Sequence, residues 1–240
     1  MIRFFASPSD ISGGYIRLSE EDAAHIRSLR LRPTELFTVC DGEGADHICR
    51  LGEHGATVAE IIETRRSRGE PSVSCCVYIA LSKGHRLEYA VQKSVELGAA
   101  KIVIFSAARC VTVPGNMEKR ITRLRRIALE TAKQSGRGRI PEITAAESFR
   151  LAVEDAARAH LRLFCYEEEE KRSLKEALES GGEICTVSII TGPEGGFEPD
   201  EARLAAESGM QTVTLGPRIL RCETAPAAVL AAVMLHTGNM

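Results

Sequence analysis

The 240-residue sequence contains no tryptophan, and aromatic residues make up only 5% of it. It also lacks the roughly 20 consecutive apolar residues that a membrane-spanning helix requires, since Pro226 interrupts the apolar run near the C-terminus. No apolar segment typical of a secretory signal follows Met1. We therefore expect a cytoplasmic protein with no membrane contact. With 44% hydrophobic and 27% charged residues, the composition is globular and excludes disordered and fibrous proteins.

The eight cysteines include no pair with the C-x-x-C spacing of common metal and redox motifs. Most of them lie inside apolar stretches, which predicts buried and reduced thiols. One cluster, formed by Cys40, His47, Cys49 and His54, contains residue types that bind zinc. Its spacing matches no standard zinc module, so we predict ordinary side chains in a β-rich segment and no metal site.

Basic residues are concentrated in the middle of a chain whose net charge is only −2. Residues 71–160 hold 15 basic and 8 acidic side chains, and segment 116–139 is the most basic part. Such a segment is typical of a protein that binds a polyanion. It is equally typical of a solvated helix face, because Ile121, Leu124 and Ala128 recur at helical spacing and place the charges opposite.

The chain divides into two predicted domains. Residues 1–62 alternate in short strand-like segments around one helix, for which Ser19 is the predicted N-cap. We predict a small β-barrel over residues 1–68, followed by a polar linker that ends in Pro71. Over residues 72–240, strand-like and helix-like segments alternate, which predicts an α/β domain around a mostly parallel sheet. Ligands of such sheets bind beyond the carboxyl ends of the strands.

The first of two notable loops, residues 191–201, joins a predicted buried strand to a helix and contains three glycines. Glycine lets a backbone approach a ligand closely, although many such loops are only tight turns. Glu198, Asp200 and Glu201 crowd the predicted helix start, where an anion would otherwise bind. The loop therefore favours a neutral or cationic ligand.

The second loop, residues 215–225, follows the next predicted strand and leads into an Ala-rich helix with Thr224 as a candidate cap. Ile219 and Leu220 lie between Arg218 and Arg221. These apolar side chains could form a wall against an aromatic base while the arginines face outward.

These two loops, Gly192-Pro193-Glu194-Gly195-Gly196-Phe197 and Leu215-Gly216-x-Arg218-Ile219-Leu220-Arg221-x-Glu223-Thr224-Ala225, closely resemble the RsmE family of ribosomal RNA uracil-N3 methyltransferases. Further matches extend over the full length and include Arg3-Phe4-Phe5, His25 to Arg30, Lys83-Gly84, Glu96-Leu97-Gly98 and Gln134-Ser135-Gly136-Arg137. Val95, Cys110 and Cys222 depart from the usual pattern by near-isosteric substitutions.

The resemblance implies an α/β SPOUT domain with a C-terminal trefoil knot, preceded by a PUA-like RNA-binding barrel. It implies S-adenosylmethionine as cofactor, no metal, and methylation of N3 of a uridine in the decoding region of 16S rRNA on the small ribosomal subunit. The residues expected at the cofactor are Gly192, Glu194, Gly195, Gly196, Leu215, Gly216, Ile219 and Leu220. Leu215 and Leu220 are alternatively core residues. Two rivals remain, another SPOUT RNA methyltransferase and a non-catalytic RNA-binding protein of ribosome assembly.

Uridine N3 carries a proton and is a poor nucleophile until that proton leaves. Either Glu223 removes the proton as a general base, or Arg221 stabilises the uridine anion. We favour the arginine route, and the sequence leaves both open.

The basic side chains expected to contact RNA are Arg3, Arg27, Arg30, Lys83, Arg123, Arg126, Arg137 and Arg139. SPOUT enzymes are typically homodimers. The Ala-rich last helix, Ala225 to Leu235, is the predicted interface, with a buried core helix as the alternative.

Overall fold

The computed structural model describes residues 2–52, 55–112, 115–180 and 182–240. They form two compact units. Unit 1 comprises residues 1–70 and 130–140, and unit 2 comprises residues 71–129 and 141–240. Segment 130–140, which the predicted boundaries assign to the second domain, is thus part of unit 1.

Unit 1 is built on a six-stranded sheet with one helix. The strands are β1 (Arg3–Phe5), β2 (Ile11–Ser12), β3 (Tyr15–Arg17), β4 (Phe37–Cys40), β5 (Ala45–Gly52) and β6 (Gly55–Arg66), and the helix is α1 (Glu20–Leu29). Their order is β1-β4-β5-β6-β3-β2. The β1–β4 pair is parallel and the other pairs are antiparallel. The Ser19 hydroxyl accepts a hydrogen bond from the Asp22 amide at 3.0 Å, which confirms the predicted N-cap of α1.

The core of unit 1 lies between this sheet and α1. Phe4, Ile16, Ile26 and Phe37 are buried in it, and the Phe4 and Phe37 rings meet edge to face with centroids 5.7 Å apart. Burial alternates along β1 and β3, where Phe4 and Ile16 are the buried residues, whereas β4 with Phe37 is buried along its whole length.

Unit 2 alternates strands and helices throughout. The strands are β7 (Ser74–Ala80), β8 (Lys101–Phe105), β9 (Glu142–Ala145), β10 (Leu161–Cys165), β11 (Thr186–Thr191) and β12 (Gln211–Val213). The helices are α2 (Arg86–Glu96), α3 (Met117–Ser135), α4 (Phe149–Ala156), α5 (Leu174–Glu179), α6 (Pro199–Glu207) and α7 (Ala225–His236). The last turns of α3 are grouped with unit 1.

The sheet of unit 2 has the order β12-β10-β11-β7-β8-β9, and every pair is parallel. The predicted parallel α/β arrangement is confirmed. The central strands β7 and β11 are buried along most of their length, as expected when helices cover both faces. All six carboxyl ends meet at one edge.

A cluster of aromatic rings fixes the first glycine-rich loop to the core of unit 2. Phe197 closes that loop and is fully buried. Its ring lies 4.4 Å from the Phe164 ring centroid and also contacts Phe105 and Phe149. The loop backbone is therefore held at the sheet edge by the side chain at its end.

All eight cysteines are free thiols in the structure. Cys40, Cys49, Cys75 and Cys165 are buried, and burial raises the pKa of each thiol to about 12. Cys185 is the exposed one.

Within the described part of the chain, no group of three or more His, Cys, Asp or Glu side chains could hold a metal ion. His54 of the suspected zinc cluster lies outside the described residues. No helix in the described ranges has the length and apolar character needed to cross a membrane.

Candidate functional site

A pocket of about 550 Å³ opens in unit 2 beyond the carboxyl ends of β10, β11 and β12. The ten residues that the sequence analysis assigned to cofactor binding and catalysis all line it. They are Gly192, Glu194, Gly195, Gly196, Leu215, Gly216, Ile219, Leu220, Arg221 and Glu223. The volume lies in the range of small-molecule sites. Two loops separated by some twenty residues are thus brought together because their strands end at the same edge.

Each glycine of the first loop permits a different close approach. A Cβ at Gly192 would lie 2.9 Å from the Phe197 ring, and one at Gly195 would lie 3.0 Å from the Arg109 carbonyl oxygen. Gly196 has φ +70°, and a Cβ there would overlap the carboxylate of Glu167. The loop therefore requires glycine at these positions for packing of the backbone as well as for any ligand.

Carboxylates occupy the helix start that follows this loop, as predicted. Glu198 and Glu201 form a capping box on α6, and Arg109 donates from Nε to Glu198 at 2.9 Å. The hydrogen bond from Arg109 lowers the pKa of Glu198, so the carboxylate is ionised near neutral pH. An anionic ligand is disfavoured at this end of α6.

The second loop presents apolar side chains to the pocket. Ile219 is 80% exposed, which is unusual for a large aliphatic side chain, and Leu215 and Leu220 are half-buried beside the same cavity. Gly216 adopts φ +103°, a conformation that favours glycine. Thr224 occupies the predicted N-cap position of α7, but its side chain makes no capping hydrogen bond. Leu215 and Leu220 line the pocket rather than being fully buried core residues.

Arg86 at the start of α2 links the two loops electrostatically. Its Nη1 donates to Glu194 at 2.8 Å, and its Nε lies 4.0 Å from Glu223. Glu194 also accepts a hydrogen bond from the Lys83 amide at 2.9 Å. Partial burial opposes ionisation of Glu194, but the bonds from Lys83 and Arg86 outweigh it and lower the pKa of that carboxyl.

The pocket is also lined by five residues that were not predicted from the sequence, namely Arg86, Arg109, Tyr166, Glu167 and Glu168. No motif marks these positions. Arg86 and Glu194 are 108 positions apart, so only the fold brings them into contact.

The catalytic candidates differ in how firmly they are held. Cys222 donates from Sγ to Glu223 at 3.2 Å, and burial together with this carboxylate raises the pKa of the thiol to about 12. Arg221 is exposed, and its guanidinium makes no hydrogen bond or ion pair with any described residue. Glu223 is therefore tethered, whereas Arg221 is available to a ligand.

Three of the arginines predicted to contact RNA already have protein partners in unit 1. Arg137 is only 3% exposed and forms a two-pronged ion pair with Glu70, at 2.9 and 2.8 Å. Arg3 is similarly paired with Asp46 at 2.7 Å, and Arg139 donates to the Glu43 carbonyl oxygen at 2.7 Å. Burial and pairing argue against Arg137 and Arg3 as phosphate contacts.

The other predicted RNA contacts are exposed. Arg27 and Arg30 lie at the end of α1 in unit 1, and Lys83, Arg123 and Arg126 lie in unit 2. Arg123 is 63% exposed at its side chain although its Nε contacts Glu88 at 2.9 Å.

Comparison with known proteins identifies the class of protein to which this chain belongs. Residues 69–234 match the family model described as an RNA methyltransferase domain, so this part of the chain is an RNA methyltransferase domain. Two relatives are the ribosomal RNA small subunit methyltransferases E of Mesomycoplasma hyopneumoniae and Bacillus subtilis. The M. hyopneumoniae protein is 31% identical, and the match covers 96% of this chain and 97% of that protein. The B. subtilis protein is 30% identical, and the match covers 92% of this chain and 90% of that protein.

A solved structure agrees with these relatives. The ribosomal RNA small subunit methyltransferase E from Neisseria gonorrhoeae, in a crystal structure bound to S-adenosyl methionine, superposes with a TM-score of 0.86. It is 31% identical and the match covers 98% of this chain and 97% of that one. The chain belongs to the ribosomal RNA small subunit methyltransferase E family, which confirms the resemblance noted in the sequence.

Proposed function

We propose that this enzyme uses S-adenosylmethionine to methylate N3 of a uridine in the decoding region of 16S rRNA, with the small ribosomal subunit as substrate. The observation that carries the proposal is the convergence of both loop motifs on one pocket at the strand ends. The relative from N. gonorrhoeae, whose structure contains S-adenosyl methionine, supports the choice of cofactor.

The residues of the pocket fit this cofactor. Leu215, Ile219 and Leu220 offer an apolar surface to its adenine, and the glycines of the first loop offer backbone groups. Glu167 and Glu168 add negative charge to the wall, which suits a cationic sulfonium and disfavours a phosphate. When bound, S-adenosylmethionine supplies an electrophilic methyl group. The eight cofactor residues predicted from the sequence are the ones we assign to holding it.

The side chains around the reacting uracil must then promote the loss of its N3 proton. The exposed guanidinium of Arg221 is free to stabilise the negative charge that develops when N3 loses its proton. Glu223, held by Cys222 and 4.0 Å from Arg86, is suited to position the base or Arg221. In the alternative mechanism, Glu223 takes the N3 proton as a general base, and the same geometry permits it. Kinetic measurements on variants distinguish this mechanism from stabilisation of the anion by Arg221.

Access to N3 requires an unpaired uridine, because that atom faces the pairing partner in a duplex. We propose that Arg27, Arg30, Lys83, Arg123, Arg126 and Arg139 contact the surrounding RNA backbone. For residues 1–68 we propose a PUA-like RNA-binding barrel, and for residues 72–240 a SPOUT domain with a C-terminal trefoil knot. A cytoplasmic location follows from the ribosomal substrate.

We also propose a homodimer that forms through α7. Val229, Leu230 and Val233 pack inside unit 2, whereas Ala228 and Leu235 on the same helix are exposed. The helix therefore contributes to the core on one face and leaves an apolar strip for a second copy.

The deciding experiment is mass spectrometry of 16S rRNA from cells that lack the gene, followed by treatment with purified enzyme and labelled cofactor. We expect one uridine of the decoding region to lack its N3 methyl and to regain it on treated small subunits. A methyl on another base or on tRNA would assign the chain to a different RNA methyltransferase activity. Cofactor binding without any transfer would indicate an RNA-binding protein of ribosome assembly.

A further inference from the structure

A second cavity in unit 2, of about 310 Å³, lies beyond the end of β7 and against the start of α3. Its polar lining is mainly cationic, with Lys119, Arg120 and Arg123 facing one carboxylate, Glu88. Glu88 is already engaged, because both of its oxygens contact Arg123 at 2.9 and 3.0 Å. The charge of Lys119 and Arg120 is therefore uncompensated within the cavity.

The cavity also holds hydrogen-bond donors without protein partners. The side chains of Lys119 and Arg120 form no hydrogen bond or ion pair with the described residues. Ser82 is only 5% exposed and lines the cavity, and its hydroxyl likewise has no partner in the described ranges. This hydroxyl is therefore available to an acceptor that enters the cavity.

The wall that carries Ser82 also bounds the first pocket. Ser82 and Gly84 line the second cavity, while the amide of Lys83 between them donates to Glu194 of the first. On α2, Arg86 lines the first pocket and Leu87 the second. A ligand that occupies both cavities thus needs to cross only one short turn of the chain.

We propose that the second cavity binds a phosphate group of the RNA backbone next to the target nucleotide. Two cations and a hydroxyl match the several acceptor oxygens of one phosphate. The first pocket balances its arginines with an equal number of glutamates, whereas cations predominate in the second cavity. The second cavity is therefore the better site for the backbone phosphate, and the first is left to the cofactor and the base. Phosphate contacts fix register rather than sequence. The identity of the RNA rests on the proposed function, whereas the anion site rests on the cavity alone.

The test compares two double variants that remove the same charge. Lys119→Gln/Arg120→Gln removes the two cations of the cavity that have no carboxylate partner. Lys175→Gln/Arg203→Gln removes an exposed lysine and arginine from α5 and α6. Binding of a short single-stranded RNA is measured across salt concentrations. We expect the slope of log K against log salt to fall by about 0.7 in the first variant, as for one lost phosphate contact. The second variant should retain the slope of the unmodified protein.

Two additional measurements separate the possible outcomes. Ser82→Ala should weaken RNA binding several-fold, and calorimetric affinity for S-adenosylmethionine should be unchanged in all variants, which also verifies folding. Inorganic phosphate should compete with RNA in the unmodified protein and not in Lys119→Gln/Arg120→Gln.

An unchanged slope in Lys119→Gln/Arg120→Gln would overturn the proposal, as would an equal loss in both double variants. Phosphate binding that depends on the cavity without any effect on RNA would also overturn it, in favour of a site for free phosphate. If the unmodified enzyme failed to methylate N3 while the slope changed as expected, the proposed function would fail and the anion site would stand.

Discussion

At the scale of single residues, Arg86 determines how the two loops of the pocket are held. It is the cation nearest to both Glu194 and Glu223, which come from different loops. Because the pKa of Glu194 is lowered, this carboxylate remains charged throughout the neutral range and the link persists there. The pocket is thus prepared by ion pairs before any ligand arrives.

Gly195 offers a direct test of the first loop. The replacement Gly195→Val should weaken S-adenosylmethionine binding by about 10- to 100-fold, because its branched side chain must displace the Arg109 backbone. Gly195→Ala serves as the graded control and should lose less, since the neighbour needs to move only a few tenths of an ångström. Calorimetry on both variants measures the effect, and an unchanged affinity in Gly195→Val would remove this loop from the cofactor site.

The roles of Arg221 and Glu223 can be distinguished by the reaction rates of their variants. Arg221→Lys should slow the chemical step by about 100-fold or more, because lysine lacks the planar donor fork that stabilises the N3 anion. Glu223→Gln should cost less, since an amide oxygen still accepts the hydrogen bond from Cys222. Single-turnover rates against pH, at saturating cofactor and with small-subunit particles, provide the measurement.

If Glu223 is the general base, we expect the reaction rates of the two variants to rank in the opposite order. Glu223→Gln would then be the slower variant and would recover at high pH, where more uridine ionises without assistance. Such a result would assign proton removal to Glu223.

At the scale of elements, the segment that follows α3 stabilises unit 1 rather than presenting a free basic surface. Arg137→Gln should lower the free energy of unfolding by about 3 kcal/mol, because it leaves the Glu70 carboxylate without its cation. Arg139→Gln, at an exposed neighbouring position, should cost less than about 1 kcal/mol. Urea unfolding compares the two. An Arg137→Gln protein of normal stability with a reduced salt slope for RNA would restore the phosphate-binding role.

The exposed strip of α7 is testable through oligomeric state. Leu235 is 68% exposed, and Leu235→Asp should convert the proposed homodimer to monomers because a carboxylate cannot be buried at an apolar interface. Leu151→Asp on α4, where the leucine is 44% exposed, is the matched control and should leave the dimer intact. Sedimentation at micromolar protein gives the answer. Identical sedimentation of both variants would place the interface elsewhere or exclude it.

At the scale of the whole molecule, local signals in the sequence predicted the framework. Ser19 caps α1 because its partner is three residues away, and the parallel sheet follows from the strand and helix alternation. The two loops could be assigned to one pocket since parallel strands end at a common edge.

Pairings between distant residues could not be obtained in this way. The partner of Arg137 is 67 positions earlier, so its charge looked the same in the sequence as that of a solvated or RNA-bound arginine. The same reason applies to Arg86 with Glu194. Charge patterns indicate where cations are, but only the fold shows which of them are already neutralised.

The distribution of thiols makes the natural chain a substrate for single-site chemical labelling. Seven of its eight cysteines are at least partly buried, and burial raises the pKa of each. Cys185, just before β11, is exposed. Because thiolates react with maleimides and thiols do not, a fluorophore added at neutral pH should attach at this position alone. Peptide mapping should find one dye per chain, which would allow fluorescence measurements without removing any native cysteine.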